Sequence, residues 1–246
     1  MDVVGDLLAR DRRNRDLALV TPDGRERTYR DLITNAYKAA NVLRYLGARE
    51  GSTVAVEPAP GFHTTLAFLG AAGLGAPVRF DPAAGIERGD RVVLVDVADE
   101  PATEPAPGTS LVVFGGAPER PETTHWEQEL WSENPGMPPS SVGPDDPVVR
   151  ATDGGDSDGS ADVSHGALLG AAASVVDERS LEPGERVVLR GDFADPRALA
   201  AGVVAPLAAG ATAVLAGGEA GDDEPTVAVE GDDGDPRPIA LPAVDG

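Results

Sequence analysis

Apolar residues recur along this chain with two alternating periods, and the alternation predicts a succession of helices and strands. Between Thr28 and Leu46 the positions Leu32, Ala36, Ala39, Leu43 and Leu46 are spaced by fours and threes, which puts them on one helical face. Thr28 with Asp31 reads as an N-cap with an acid at the third helical position, and Gly47 as the C-terminal stop. Gly51 and Ser52 then turn the chain into the β-rich run Thr53 to Val56. The next unit repeats the order, with a helix from Phe62 to Leu74, a stop at Gly75 and a strand from Pro77 to Phe80. Gly70 and Gly73 predict close packing of that helix on the sheet. Val92 to Val97 and Leu111 to Phe114 are continuous apolar runs, as expected of strands covered on both faces. A Pro-rich connector from Glu100 to Gly108 separates them, and His125 to Trp131 follows as a short helix.

The segment from Asn134 to Pro147, rich in Pro, Ser and Asp, is the best candidate for an internal boundary. Beyond it the pattern gives a strand at Val148–Val149, an acidic Gly-rich loop, a helix from Ser164 to Asp177 and a strand from Arg186 to Arg190. A helix from Arg197 to Ala209 and a strand from Ala211 to Leu215 follow. Such alternation predicts an α/β fold, a layered mixed or parallel sheet with helices on both faces. It assigns residues 1–216 to one domain and 217–246 to an acidic, mobile tail with room for one edge strand.

Charge narrows the partners. Forty-two acids stand against twenty bases, a net charge of -22, which argues against nucleic acid and anionic membranes. Lys38 is the only lysine, and the remaining bases are arginine. This is the composition expected where strong salt screens self-repulsion, so a salt-adapted cytoplasmic protein is expected. Cysteine is absent, which removes disulfide and thiolate chemistry. Met1 to Arg15 lacks the apolar core of a secretory signal, and no stretch approaches the ~20 apolar residues of a membrane span.

Familiar catalytic patterns are missing. There is no Gly-x-Ser-x-Gly elbow, no G-x-x-x-x-G-K-[ST] loop and no strand followed by Gly-x-Gly-x-x-Gly. Asp156 to Gly159 opens like a calcium loop, but neither the alternating third ligand nor a terminal glutamate falls in place. His63 has no second histidine at helical spacing, and His125 beside Trp126 reads as a packing contact, so no metal set is expected.

Several phrases in order carry a resemblance. Thr28-Tyr29-Arg30-Asp31-Leu32, Leu43 to Gly47 and Gly51 to Val56 come first. Phe68 to Ala71, Leu74 to Val78 and Asp81-Pro82 follow, then Leu181 to Val188 and Ala205 to Thr212. Together they resemble the opening of the adenylate-forming, AMP-binding enzymes, the acyl-CoA synthetases and their relatives, here of haloarchaeal type. The likeness runs from about Thr28 to Leu215 and implies the earlier part of that family's N-terminal domain. The family's later segments, an aromatic-Gly-x-Thr-Glu motif, a ribose aspartate, a hinge and a C-terminal domain with its lysine, find no counterpart, which implies a truncated member.

The family's phosphate loop reads Thr-Ser-Gly-Thr-Thr-Gly-x-Pro-Lys-Gly, followed by Thr-His. The stretch here runs from Thr152 to His165 and is one residue short. Thr152, Gly154 and the Ser164-His165 pair match in place. Gly155, Ser157 and Gly159 complete the candidate cradle, and the lysine is missing. His165, at the helix start, either touches a ligand or hydrogen-bonds within the fold. A phosphate cradle works through backbone N–H donors and a compensating cation. Here Asp153, Asp156, Asp158 and Asp162 stand instead, and each like-charge contact at ~6 Å and an effective dielectric of ~20 costs about 2 to 3 kcal/mol before screening.

The resemblance implies ATP or AMP with magnesium as the family's cofactors, while the degenerate loop implies a non-catalytic, vestigial domain with no catalytic residue and no metal ligands. Such a domain binds nucleotide or an acyl ligand, or regulates a full-length relative. The alternatives are an assembly module, whose partner is a second copy or a full-length synthetase, and one half of a split acyl-CoA ligase.

Overall fold

The helix announced by the apolar spacing starts where its cap chemistry says it should. Thr28 Oγ1 accepts from the Asp31 N–H at 3.1 Å, and the Asp31 carboxylate accepts in return from the Thr28 N–H at 3.3 Å, closing a capping box. A computed structural model describes residues 1–151, 162–216, 225–230 and 236–244. In chain order its strands are β1 (Leu17–Val20), β2 (Glu26–Thr28), β3 (Thr53–Val56), β4 (Val78–Arg79), β5 (Asp90–Asp96), β6 (Ser110–Phe114) and β7 (Thr124–His125). They continue with β8 (Pro147–Val149), β9 (Val163–Ser164), β10 (Arg186–Arg190), β11 (Thr212–Ala216), β12 (Thr226–Val229) and β13 (Arg237–Ile239). The helices are α1 (Tyr29–Tyr45), α2 (Phe62–Leu74), α3 (Trp126–Ser132), α4 (His165–Arg179), α5 (Pro196–Leu199) and α6 (Ala205–Ala209), with a π-helical turn, Ala200–Val204, joining the last two.

The strands form two sheets. The first has the order β13-β12-β10-β11-β1-β2, parallel only across β10-β11-β1. The second, β7-β6-β5-β3-β4-β8-β9, is parallel throughout except for the last pair. One continuous core joins a single face of each sheet to the helices, drawing Val54, Val92 and Leu94 from one sheet and Val187, Leu189 and Leu215 from the other. The alternate residues of the second sheet, Ala55, Val93, Val95, Leu111 and Val113, form a smaller cluster on the opposite face. Ile86 and Val97, from connecting segments with short 3-10 turns rather than α-helices, pack against it.

The layered α/β architecture is the one the sequence pattern predicts. Three details differ. The segment 134–146 does not part the two sheets, because β8 and β9 beyond it extend the same sheet as β3 to β7. Residues 226–229 and 237–239 contribute two paired strands, and Val227, Val229 and Ile239 are buried, since their alternation turns them to the core. Gly70 serves a helix–helix contact rather than a helix–sheet one, for a Cβ there would lie 2.8 Å from the Ala40 backbone nitrogen of α1. Gly73 likewise faces Met137 and accepts from Ser140 Oγ at 2.7 Å.

Candidate functional site

The strand pair β8 and β9 bounds the segment that carries the phosphate-loop resemblance. Thr152, Gly154, Gly155, Ser157 and Gly159 lie outside the described residues. Its two ends are described and they are tied together. Asp162 accepts from the Ala151 N–H at 3.1 Å, and its other oxygen lies 3.5 Å from Arg150 Nε. Ser164 caps α4, its hydroxyl accepting from the Ala167 N–H at 3.1 Å.

His165 turns inward. Its side chain is fully buried, and Nδ1 accepts from the Val4 N–H at 3.1 Å, joining α4 to the N-terminal 3-10 turn Val4–Leu8. Burial drives its pKa down to about 4, although the carboxylates of Asp146 and Asp6 pull the other way. A neutral ring with Nδ1 as acceptor must carry its proton on Nε2, and Nε2 has no partner among the described residues.

These contacts allow a test of whether the described end residues fit a triphosphate. The Arg150 guanidinium stands beside the Asp162 carboxylate, which offsets its charge, and the His165 imidazole faces the core and is neutral. Asp162 adds a negative charge instead. The described ends of the loop thus bring no net positive charge to a triphosphate.

A second set of groups gathers at the carboxyl ends of the strands of the second sheet, where open α/β sheets place their ligands. His63 in the first turn of α2 and His125 at the start of α3 face one carboxylate, Glu127. The separations are 3.6 Å from His63 Nε2 to Oε1 and 3.4 Å from His125 Nε2 to Oε2. The Gly115 N–H, just past β6, donates to Oε1 at 2.8 Å and fixes the carboxylate. Burial lowers the His63 pKa, Glu127 opposes the shift, and Arg27, whose guanidinium stacks 4.5 Å above the Phe62 ring, adds to it. Helical spacing gives no hint that His63 meets a second histidine. The available signal is that His63, Gly115 and Glu127 each follow a strand of one parallel sheet. Among the described residues no cluster of three or more His, Asp or Glu can hold a metal ion.

The same edge carries Glu57, the residue after β3. Its Oε2 accepts from the Asp96 N–H at 2.7 Å. Burial raises its pKa, and the neighbouring carboxylates of Asp96 and Asp99 raise it further, against the lowering effect of that hydrogen bond.

No family model matches the sequence, and neither does any curated protein. Solved structures do. The anthranilate CoA ligase AuaEII, in complex with anthranoyl-AMP, superposes with a TM-score of 0.73 at 21% identity over 87% of this chain and 44% of its own. The N-terminal domain of FACL13 from Mycobacterium tuberculosis gives 0.71 at 21% identity, over 87% of this chain and 57% of that one. The Brucella canis acyl-CoA synthetase gives 0.70 at 18% identity, over 88% and 43%. The chain thus spans about half the length of the solved structures it matches. No helix among the described residues is long and apolar enough to cross a membrane. The chain has the mixed α/β fold of the N-terminal domain of acyl-CoA synthetases.

Proposed function

We propose that the chain is a synthetase-like domain that forms no adenylate of its own and holds AMP or an acyl ligand, or regulates a full-length relative. The observation that carries this reading is the fate of the two described basic groups at the loop ends. Arg150 stands beside Asp162 and His165 is neutral and buried against Val4, so the described loop ends offer a triphosphate no net positive charge. Phosphoryl and adenylyl transfer depend on positive groups that stabilise charge as it develops. AMP carries less charge and would suffer less repulsion, and solved neighbours hold adenylates: anthranoyl-AMP in AuaEII and α-methyl-L-serine-AMP in the peptide synthetase FmoA3.

The test is ATP–pyrophosphate exchange by the purified chain at molar salt, beside thermal-shift titrations with ATP, AMP and an acyl-AMP analogue. No exchange and a larger shift with AMP than with ATP are expected. Exchange above a protein-free control would overturn the reading.

One observation favours an assembly module as a second reading. Trp131 and Tyr45 are 86% and 84% exposed. Tyr45 continues the α1 stripe of Lys38 and Asn41, which bind the carbonyls of Leu130, Asn134 and Gly136 at and beyond the end of α3. A second copy or a full-length synthetase would be the partner. Sedimentation equilibrium of the wild type against Trp131→Ser at molar salt tests it: the variant should weaken self-association, and a wild type that stays monomeric at high concentration argues against a second copy.

A further inference from the structure

The second sheet holds a cleft of about 350 Å³ at its carboxyl edge, apart from the β8–β9 segment. Strands β3 and β5 are neighbours, yet the chain leaves β3 for β4 on one side and β5 for β6 on the other. The crevice opened by such a reversal is where parallel sheets receive small molecules. Glu57 follows β3, Pro82 and Ile86 follow β4, and Val95 and Asp99 lie at and beyond the end of β5; all five line the cleft.

The walls are anchored by enclosed charged groups. Arg79, fully buried, donates to the Gly85 carbonyl at 2.8 Å and to Asp90 at 2.6 Å, which pins the 82–86 wall to the sheet. Across the cleft Glu100, also enclosed, accepts from the N–H groups of Glu119 and Arg120, and Arg120 donates to the Thr103 carbonyl at 3.0 Å. Breaking buried charged pairs is strongly destabilising, so walls held this way keep their shape.

The lining then gives the chemistry. Among the described residues no lysine, arginine or histidine lines the cleft, while Glu57, Asp99 and Glu104 do. Glu104 is 3.9 Å from Arg120, which leaves Glu57 and Asp99 as the pair without an ion-pair partner among the described residues. Glu57 Oε1 has no hydrogen-bond partner among the described residues, since only Oε2 is taken. The remaining surface is largely apolar, from Pro58, Pro82, Ala83, Ile86, Val95 and Ala102. A lining that combines open carboxylates with apolar walls, and that can assemble no metal set, complements an organic cation.

We propose that this cleft binds a small primary ammonium compound, its charged head on Glu57 and Asp99 and its apolar body against Pro82, Ile86 and Val95. The proposal is independent of what the loop between β8 and β9 does.

The experiment is a ¹H–¹⁵N NMR titration of the intact chain in about 1 M sodium chloride, where the Debye length is about 3 Å and diffuse attraction to an acidic surface is screened. The probes are cyclohexylmethylammonium, the uncharged cyclohexylmethanol and cyclohexanecarboxylate. The ammonium compound should shift the amides of Glu57, Gly85 and Asp99 along one saturable curve, with the alcohol weaker by about tenfold and the carboxylate weaker still, the worth of one charge-assisted hydrogen bond. Glu57→Gln should weaken the ammonium about tenfold. Ala83→Trp, an exposed position on the cleft wall, should abolish binding. Should Glu57→Gln fail to fold, Asp99→Asn at an exposed site replaces it with the same expectation. Equal binding of the alcohol, preference for the carboxylate, shifts scattered without saturation, or unchanged binding in Ala83→Trp would each overturn the proposal.

Discussion

Acidification should loosen this protein through one imidazole. His165 is buried and accepts from the Val4 N–H, a bond that exists only while Nδ1 is unprotonated. Its pKa falls from the ordinary 6.5 to about 4 in the folded chain, chiefly through burial. Above pH 6.5 the ring is neutral in both states and the stabilisation is complete. As pH falls from 6.5 towards 4 the unfolded chain takes up the proton and the folded chain does not, so stability drops across that window and levels off below it. Each unit of depression is worth about 1.4 kcal/mol. Allowing for relaxation around the charged ring, the loss should be about 2 to 3 kcal/mol.

Glu57, whose pKa is raised by burial, also responds to acid, so the comparison needs a partner protein. His165→Asn keeps an acceptor near the position of Nδ1 and removes the titration. Urea unfolding of both proteins at molar salt, followed by circular dichroism between about pH 7 and pH 4, isolates the histidine as the difference between the two pH profiles. The wild type should lose about 2 to 3 kcal/mol more than the variant. Superimposable profiles, or an imidazole that titrates near its ordinary value by NMR, would refute the reasoning and return His165 to the candidate ligand set.

Three further outcomes follow from contacts already described. Arg79→Met leaves Asp90 charged in a fully buried site and should cost about 3 to 5 kcal/mol in urea unfolding, whereas the double replacement Arg79→Met with Asp90→Leu should cost less than the two single changes summed. Gly70→Ala pushes a methyl group to within 2.8 Å of the Ala40 nitrogen and should destabilise by about 1 to 3 kcal/mol, read as a lowered unfolding midpoint. Thr28→Ala opens the capping box of α1 and should cost about 1 kcal/mol by the same measurement.

The elements that the sequence made legible are those whose information is local. α1, with its cap residues and its 3.6-residue stripe, falls within a residue of expectation, and β10 runs from Arg186 to Arg190 as the apolar run predicts. Pairing is not local. Nothing in Thr226–Val229 says that it lies antiparallel beside β10, or in Leu17–Val20 that it lies parallel to β11. A stripe also cannot name what it packs against, which is why Gly70 pointed to a sheet and met a helix. The site divides the same way. The cap role of Ser164 is written three residues ahead of its donor, Ala167, whereas the acceptor role of His165 depends on Val4, 161 positions away. His63, His125 and Glu127 converge only because β3, β6 and β7 belong to one sheet.

Where the positive charges sit explains why composition alone misleads. Twenty bases would suffice to furnish an anion site even against forty-two acids. Among the described residues five of them, Arg12, Arg79, Arg91, Arg120 and Lys38, instead donate to backbone carbonyls. Arg12 donates to the carbonyls of Leu207 and Ala208, Arg91 to Gly108, and Arg120 to Thr103. The single lysine, Lys38, reaches the Leu130 carbonyl at 3.0 Å, in the last turn of α3 where the helix presents its negative end. A guanidinium or ammonium bound to a carbonyl is held by the fold and is not free to meet a ligand. Acids engage the backbone as well, Asp31, Glu57, Glu100, Glu127 and Asp162 each accepting from an N–H, but at forty-two against twenty they outnumber the bases and part of the surplus faces solvent or clefts. The net charge of -22 is therefore less informative than its division: these cations are held by the fold, and the cleft beside Glu57 is lined by carboxylates.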